Sequence, residues 1–290
     1  MMKEEEWETM RMGVRAAVIG IDAAWTLTQP TGVALTVLTD KGWQLRAAAA
    51  SYQRFLALAD EHAIGEPRPL GRMPDMRALL QAGRKLAASP IDVIAIDIPL
   101  SKSPILGRRQ SDDAVSRTYG GRKSSTHSPS EQRPGIISDT LRAQAEREGY
   151  ALATASISPP ALIEVYPHPA LIELARSTER LPYKAQKIRK YWPSINTQQR
   201  KEKLLTQWLD IVDLLETEIS GVKHMLPPIE IKASAVELKA FEDMLDAIVC
   251  CWVAICALDG RAITFGDETS AIWIPTPLDA ATNATLVLPS

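Results

Sequence analysis

The sequence predicts an α/β domain on a mixed sheet: an antiparallel three-stranded meander continued by parallel strands, flanked by helices. Three observations predict it. Short apolar, partly β-branched runs recur at 16–24 (AAVIGIDAA), 91–100 (IDVIAIDIPL) and 161–166 (ALIEVY), each carrying an acid. Turn-forming stretches at 29–32 (QPTG) and 40–42 (DKG) separate the first run from two more strand-like segments, as tight antiparallel connections require. A helical period at 76–88, with Leu79, Leu80 and Leu86 on one side, lies between the first two acid-bearing runs. Strand, helix, strand is the crossover that makes a parallel pair.

The elements follow in order. Residues 16–24 read as a buried central strand, 33–38 (VALTVL) as a second, and the stretch from Trp43 (WQLRAAAASY) as a third. Residues 60–74, rich in Pro and Gly, read as a loop before the helix at 76–88, which Ser89-Pro90 ends. Residues 101–160 are polar and contain several prolines, with a helical pattern only at 137–153. Such a stretch is expected to be an insertion, less ordered than the core or covering the site as a lid. A helix begins at 167–177, further helical patterns lie at 183–192 and 196–219, and a long helix spans 236–258. Residues 270–274 (SAIWI) suggest a short last strand.

Composition bounds the function classes. The 290 residues suit one large domain or two modest ones, and 46% hydrophobic with 23% charged excludes disordered and fibrous chains. The longest apolar run, 248–258, is too short to cross a bilayer, and the acidic start MMKEEEWETMRMG lacks the features of a signal peptide. The cytoplasm is therefore the expected location, with no membrane partner. Cys250, Cys251 and Cys256 share one apolar stretch, which makes neither a disulfide framework nor a zinc site. They read as small buried hydrophobes.

A net charge of −2 gives no global attraction to nucleic acid. Charge is uneven, however. Seven basic residues, among them Arg109, Arg122 and Lys123, fall in 102–133, and seven more, beginning with Lys184, fall in 184–203 opposed only by Glu202. Such runs are ordinarily solvated faces; near a carboxylate site they could form a phosphate-binding rim.

Acid placement is the informative pattern. Asp22, Asp97 and Glu164 each lie within or at the end of an otherwise apolar strand. A lone buried carboxylate costs several kcal/mol. Arginine partners could compensate it, and so could a divalent metal that takes oxygen ligands, Mg2+ or Mn2+. Strand ends of parallel α/β sheets are where sites gather. Asp243 and Asp246, three apart in the long helix, share a face. As plain structure, any one of these acids reads as a turn or cap. Trp25, just after Asp22, could stack on a base or pack against the insertion. His168, after the Glu164 strand, could be a ligand, a proton donor or an ordinary helix-start histidine.

GIDAAW (from Gly20), IAIDIP, Arg109 followed by Asp113, Ser124-Ser125, EVYPHPA, Tyr183-Lys184, LDAIVCCWVA and GDETSAIWIP stand in this order from about residue 16 to 275. Together they resemble domain-of-unknown-function family 429, described as predicted nucleases of ribonuclease H-like fold. In this chain the serine pair continues as Thr126-His127-Ser128 rather than the apolar stretch usual in the family. The resemblance implies a ribonuclease H-like domain over 14–280 with an insertion at about 101–160, a disordered extension at 1–13 and a tail at 281–290. It implies two-metal phosphodiester hydrolysis, with Asp22 bridging the ions, Asp97 and Asp246 holding one each, and Asp243 or Glu164 supplementary. DNA or RNA would be the substrate, met by Trp25, Arg109, Arg122, Lys123 and Lys184. A non-catalytic binding module and a small-molecule phosphohydrolase or phosphotransferase are the alternatives. The bulky Ala23-Ala24-Trp25 after Asp22 excludes the Gly-rich phosphate turn of sugar-kinase-type ATPases.

Overall fold

The structure is a computed structural model that describes residues 13–60 and 68–276. Apart from Gly13, the expected extension and tail lie outside these residues, as does part of the expected loop at 60–74.

Strand β1 (Ala16–Asp22) pairs antiparallel with β2 (Gly32–Thr39), and β2 with β3 (Gly42–Ala49). Gly42 opens β3 at φ 91°, a left-handed conformation that the two-residue Asp40-Lys41 turn needs and glycine adopts at little cost. Helix α1 (Tyr52–Leu58) follows, capped by Ser51. Helix α2 (Met76–Ala87), capped by Asp75, crosses over to β4 (Val93–Ile96), which lies parallel to β1. Helices α3 (Gln110–Tyr119) and α4 (Gly135–Arg147) and the short β5 (Ala151–Leu152) precede β6 (Ala161–Val165), parallel to β4. Then come α5 (Pro167–Leu174), α6 (Ile188–Tyr191), α7 (Thr197–Glu218), α8 (Val222–Met225) and the long α9 (Ala235–Leu258). The antiparallel pair β7 (Ala262–Gly266) and β8 (Ala271–Pro275) follows α9. The eight strands form one mixed sheet in the order β3-β2-β1-β4-β6-β8-β7, with β5 beside β6.

Both faces of the sheet are covered, which explains the unbroken apolar runs. Val18, Ala34, Val93, Ala95, Ile163 and Val165 pack against α5, α7 and α9. Ile19, Ile21, Leu35, Ile94 and Ile96 pack on the other face against Phe55, Leu79, Leu80 and Leu141. The three cysteines are free and buried, the Cys251 thiol lying 3.6 Å from the Ala34 carbonyl. No helix among the described residues is long and apolar enough to cross a membrane.

Two glycines let α9 lie directly on the meander. A Cβ on Gly20 would sit 2.1 Å from the Ala247 carbonyl oxygen, and one on Gly32 would sit 1.9 Å from that of Asp243. Backbone cannot yield as a flexible side chain can. Gly20→Ala is therefore expected to cost about 3 kcal/mol or more, read as a lower denaturant midpoint; an unchanged midpoint would show that α9 can shift freely.

The secondary structure of the insertion differs from expectation, while its residues Arg109, Asp112, Thr126 and His127 line the cleft of Asp97. Residues 101–160 hold two helices and a strand, not one helical stretch, and they bury Arg109, Asp112, Val115, Tyr119 and Leu141. Helix α3 has almost no apolar stripe, because its buried face is partly an ion pair. Helix α1 follows β3 so closely that its residues read as the strand's continuation. Strand β7 is a half-exposed edge with no sustained alternation. The helical pattern at 183–192 is broken into a short 3-10 turn (Ala185–Lys187) and α6.

Candidate functional site

Alternation along the strands decides where each acid points. Asp22 follows Val18 and Gly20 on the face that carries α9, and Asp97 continues the parity of Val93 and Ala95. Asp22 ends β1 and Asp97 directly follows β4, so parallel pairing brings both to the same sheet edge. Glu164 shares the parity of Leu162, which belongs to the opposite core. It emerges on the side away from α9.

Helix α9 brings the rest. Its close approach at Gly32, the register partner of Asp22, sets Asp243 over the end of β1. Lys239, Glu242, Asp243 and Asp246 fall at the spacing of one helix face, and Glu242, Asp243 and Asp246 are buried. Asp246 accepts from the Tyr183 hydroxyl at 2.8 Å and from Lys184, whose ammonium also lies 3.4 Å from Glu242 and 4.9 Å from the Tyr183 ring centre. Glu242 accepts from the Ala185 amide at 2.6 Å and from Lys239 at 3.1 Å. Lys239 also holds one oxygen of Asp243. The other, Oδ2, is buried and has no partner among the described residues.

The electrostatics show how crowded these acids are. Burial, then the charge of Asp22, pushes the Asp97 and Asp243 carboxyls well above the usual range. Asp246 is raised to about 6 by burial, with Asp22 and Glu242 adding to the rise and Lys184 opposing it. Burial also acts on Glu242, but Lys184 and Lys239 outweigh it and hold that carboxyl low. Five carboxylates thus face two ammonium groups. Among the described residues no group of three His, Cys, Asp or Glu is arranged to hold a metal ion; the lysines occupy three of the acids, Glu242, Asp243 and Asp246.

Glu164 and Arg109 form a separate unit. All five N–H groups of Arg109 are used: on both Glu164 oxygens at 2.6 and 2.8 Å, on both Asp112 oxygens at 3.0 and 2.8 Å, and on the Leu100 carbonyl at 2.7 Å. Glu164 also accepts from the Leu100 amide at 2.7 Å. Burial pushes its carboxyl up to about 7 against the pull of Arg109. The guanidinium has no donor left for a substrate. Its work is to neutralise Glu164 and to fix the start of α3.

Asp97, Glu164 and Arg109 line one cleft of about 160 Å³ with Trp25, His127 and His168. Trp25 packs against the α2 side of the core and meets His127 of the insertion edge-on, with ring centres 6.3 Å apart. His168 is buried between Tyr166 and Tyr183, its Nδ1 unpartnered among the described residues. Burial, then Arg180 and the neighbouring lysines, keeps the ring neutral.

Arg122 and Lys123 lie apart from the acids. Arg122 donates to Glu173 at 2.5 Å and to the Ser177 carbonyl at 2.6 Å, and Lys123 pairs with Glu179. Lys184, of the second basic run, lies among the acids instead of on a rim. Sequence reasoning missed Lys239 and Glu242, although their spacing to Asp243 and Asp246 was a usable signal. It also missed Arg180, which stands outside both basic runs and so carried none.

A family model described as "Protein of unknown function (DUF429)" matches residues 14–271. No curated protein and no solved structure matches the chain.

Proposed function

The chain belongs to this family of unknown function, and from its site we propose a metal-dependent phosphodiesterase of ribonuclease H-like fold. The carrying observation is the buried Oδ2 of Asp243, without a partner among the described residues and set beside Asp22 in a cluster with more carboxylates than cations. A buried carboxylate oxygen left without a partner is costly, and the donors gathered here are hard oxygens, the kind that Mg2+ and Mn2+ take. Asp22, Asp97 and Asp246 would hold the ion or ions, with Asp243 supplementary. Bound metal would supply Lewis acidity and an activated water. The meander continued by parallel strands, with acids on the first strand, after the crossover helix and on a late helix, supports the fold assignment.

The chain's own residues have definable tasks. Lys184 and Lys239 balance Asp246 and Asp243 while no metal is bound. Tyr183 holds Asp246 in one rotamer. Glu164, neutralised by Arg109, is left out of the metal set. The narrowness of the 160 Å³ cleft, with Trp25 and His127 meeting across it, favours a second reading with the same chemistry, a small-molecule phosphohydrolase.

The test is Mn2+ titration by calorimetry, followed by cleavage assays on single-stranded, duplex and structured DNA and RNA and on small phosphate esters. Stoichiometric Mn2+ binding and cleavage that stops in excess chelator are expected. Cleavage that persists in chelator would overturn the mechanism, and absence of Mn2+ binding would overturn the site.

A further inference from the structure

A second cavity has a volume of about 600 Å³ and shares no lining residue with the cleft of Asp97. It is lined by Lys123, Arg180, Lys187 and Lys190, with Glu179 as the one acid and Tyr191 and Trp192 as an aromatic wall. Arg180 buries both Nε and Nη2, and neither has a partner among the described residues. Lys187 and Lys190 form no ion pair among those residues, whereas Glu179 is taken by Lys123. Four cations against one engaged carboxylate is an arrangement that lacks its counter-charge. A buried guanidinium donor left unmade costs what a lost charged hydrogen bond costs, so the chain holds Arg180 there at a penalty that a bound anion would remove.

The neighbourhood confirms that this charge is uncompensated. Lys187 is lowered by burial and then by Arg180, Lys184 and Lys190, with only Glu242 opposing. Arg180 also bears on His168, His127 and Tyr166, which line the cleft of Asp97. Arg180 lines the cavity and lies within electrostatic reach of the cleft's two histidines.

The geometry points to a binding site for a phosphate monoester, with Arg180, Lys187 and Lys190 holding the phosphate and Tyr191 and Trp192 flanking the group that carries it. A monoester dianion has two features that match. Its charge near −2 suits several cations, and its oxygens accept the paired donors of a guanidinium. The cavity falls in the usual range for ligand sites and exceeds what phosphate alone would fill, so the carrier lies along the aromatic wall. The same chemistry is presented by a small phosphorylated metabolite and by the terminal phosphate of a nucleic-acid strand. This deepens the reading of the chain as a phosphoesterase, but the binding itself needs neither metal nor turnover.

The experiment is therefore done on the full chain in excess chelator, following tryptophan fluorescence and calorimetry. The probes are inorganic phosphate, a 5′-mononucleotide, its nucleoside, and one oligonucleotide with and without a 5′-phosphate. Phosphate and the mononucleotide should bind and the nucleoside should not. Arg180→Gln should weaken binding roughly tenfold or more. Lys190→Glu, a change at an exposed position that leaves the fold intact, should weaken it as well, and Lys232→Gln, remote from the cavity, should not. A gain from the 5′-phosphate on the oligonucleotide identifies a strand end as the source; tight mononucleotide binding without that gain identifies a small metabolite. Equal binding of nucleoside and nucleotide, or unchanged affinity in Lys190→Glu, would overturn the site. Binding in chelator together with no metal-dependent cleavage would sink the phosphodiesterase reading and leave this one standing.

Discussion

Asp22→Asn is expected to lower Mg2+- or Mn2+-dependent cleavage on the order of 100-fold or more, while raising the melting temperature of the metal-free protein. The first effect follows because loss even of an outer partner of a metal ligand costs roughly 10- to 100-fold, and Asp22 bears on Asp97, Asp243 and Asp246 alike. The second follows from repulsion. Asp22 raises Asp97, Asp243 and Asp246, so without metal its charge opposes theirs. The pH dependence has a definite sign. A carboxyl whose folded pKa lies above its unfolded value stabilises the fold below the unfolded value, and that stability is lost as pH rises through the folded one. For Asp246, moving from 3.8 to about 6, the loss is on the order of 3 kcal/mol. Metal-free wild type should therefore lose stability between pH 4 and 6, and Asp22→Asn should lose less. Cleavage should fall as pH drops below about 6, where protons compete with metal for the same oxygens. Calorimetric melts across pH with chelator, beside assays with metal, check both. A variant that melts lower than wild type at pH 7.5 would show that Asp22 holds structure through contacts instead of crowding it.

Arg109→Met is expected to destabilise the fold by about 3–5 kcal/mol, the usual cost of leaving one side of a buried ion pair alone. At this chain length that is roughly 10 °C in melting temperature. Both Glu164 and Asp112 lose their partner, and both are buried. The penalty should be larger at pH 8 than at pH 5.5. Without the guanidinium, Glu164 rises further above its present value of about 7, so at low pH it takes a proton instead of standing charged. Arg109→Lys should recover little, since an ammonium cannot fill the five-donor fork. A gap between wild type and Arg109→Met that stays constant with pH would mean that packing, not charge, holds the unit together.

The sequence exposes what is periodic and hides what is only spatial. The meander was legible because Gly32 and Gly42 mark its turns and β-branched runs fill its strands. Helix α9 was legible because its apolar half is long and continuous. The acids Asp22, Asp97 and Asp246 stood out as polar interruptions of buried elements. Glu164 stood out equally, and nothing local says that its partner is Arg109, 55 residues away. Arg109 itself lies in a basic run that resembles a solvated surface. Helix α3 was hidden because ions occupy its inner face, and the part that Lys184 and Lys239 play depends on side-chain meetings that no spacing rule between distant segments records.

The seating of α9 against Gly20 and Gly32 has a consequence for how the protein comes into being. The acids of β1 and those of α9 stand more than 200 positions apart in the chain, and they meet only when the helix presses onto bare backbone. During synthesis the first strands leave the ribosome long before α9 does, with one face of the meander waiting for its cover. The carboxylates cannot crowd together in that interval. Asp22 and Asp97 wait unopposed by the helix acids, and the cost of gathering all of them falls at the moment the large apolar surface of α9 is buried. The repulsion is thus met by the docking of a long apolar helix, so the site is completed only once α9 has been made.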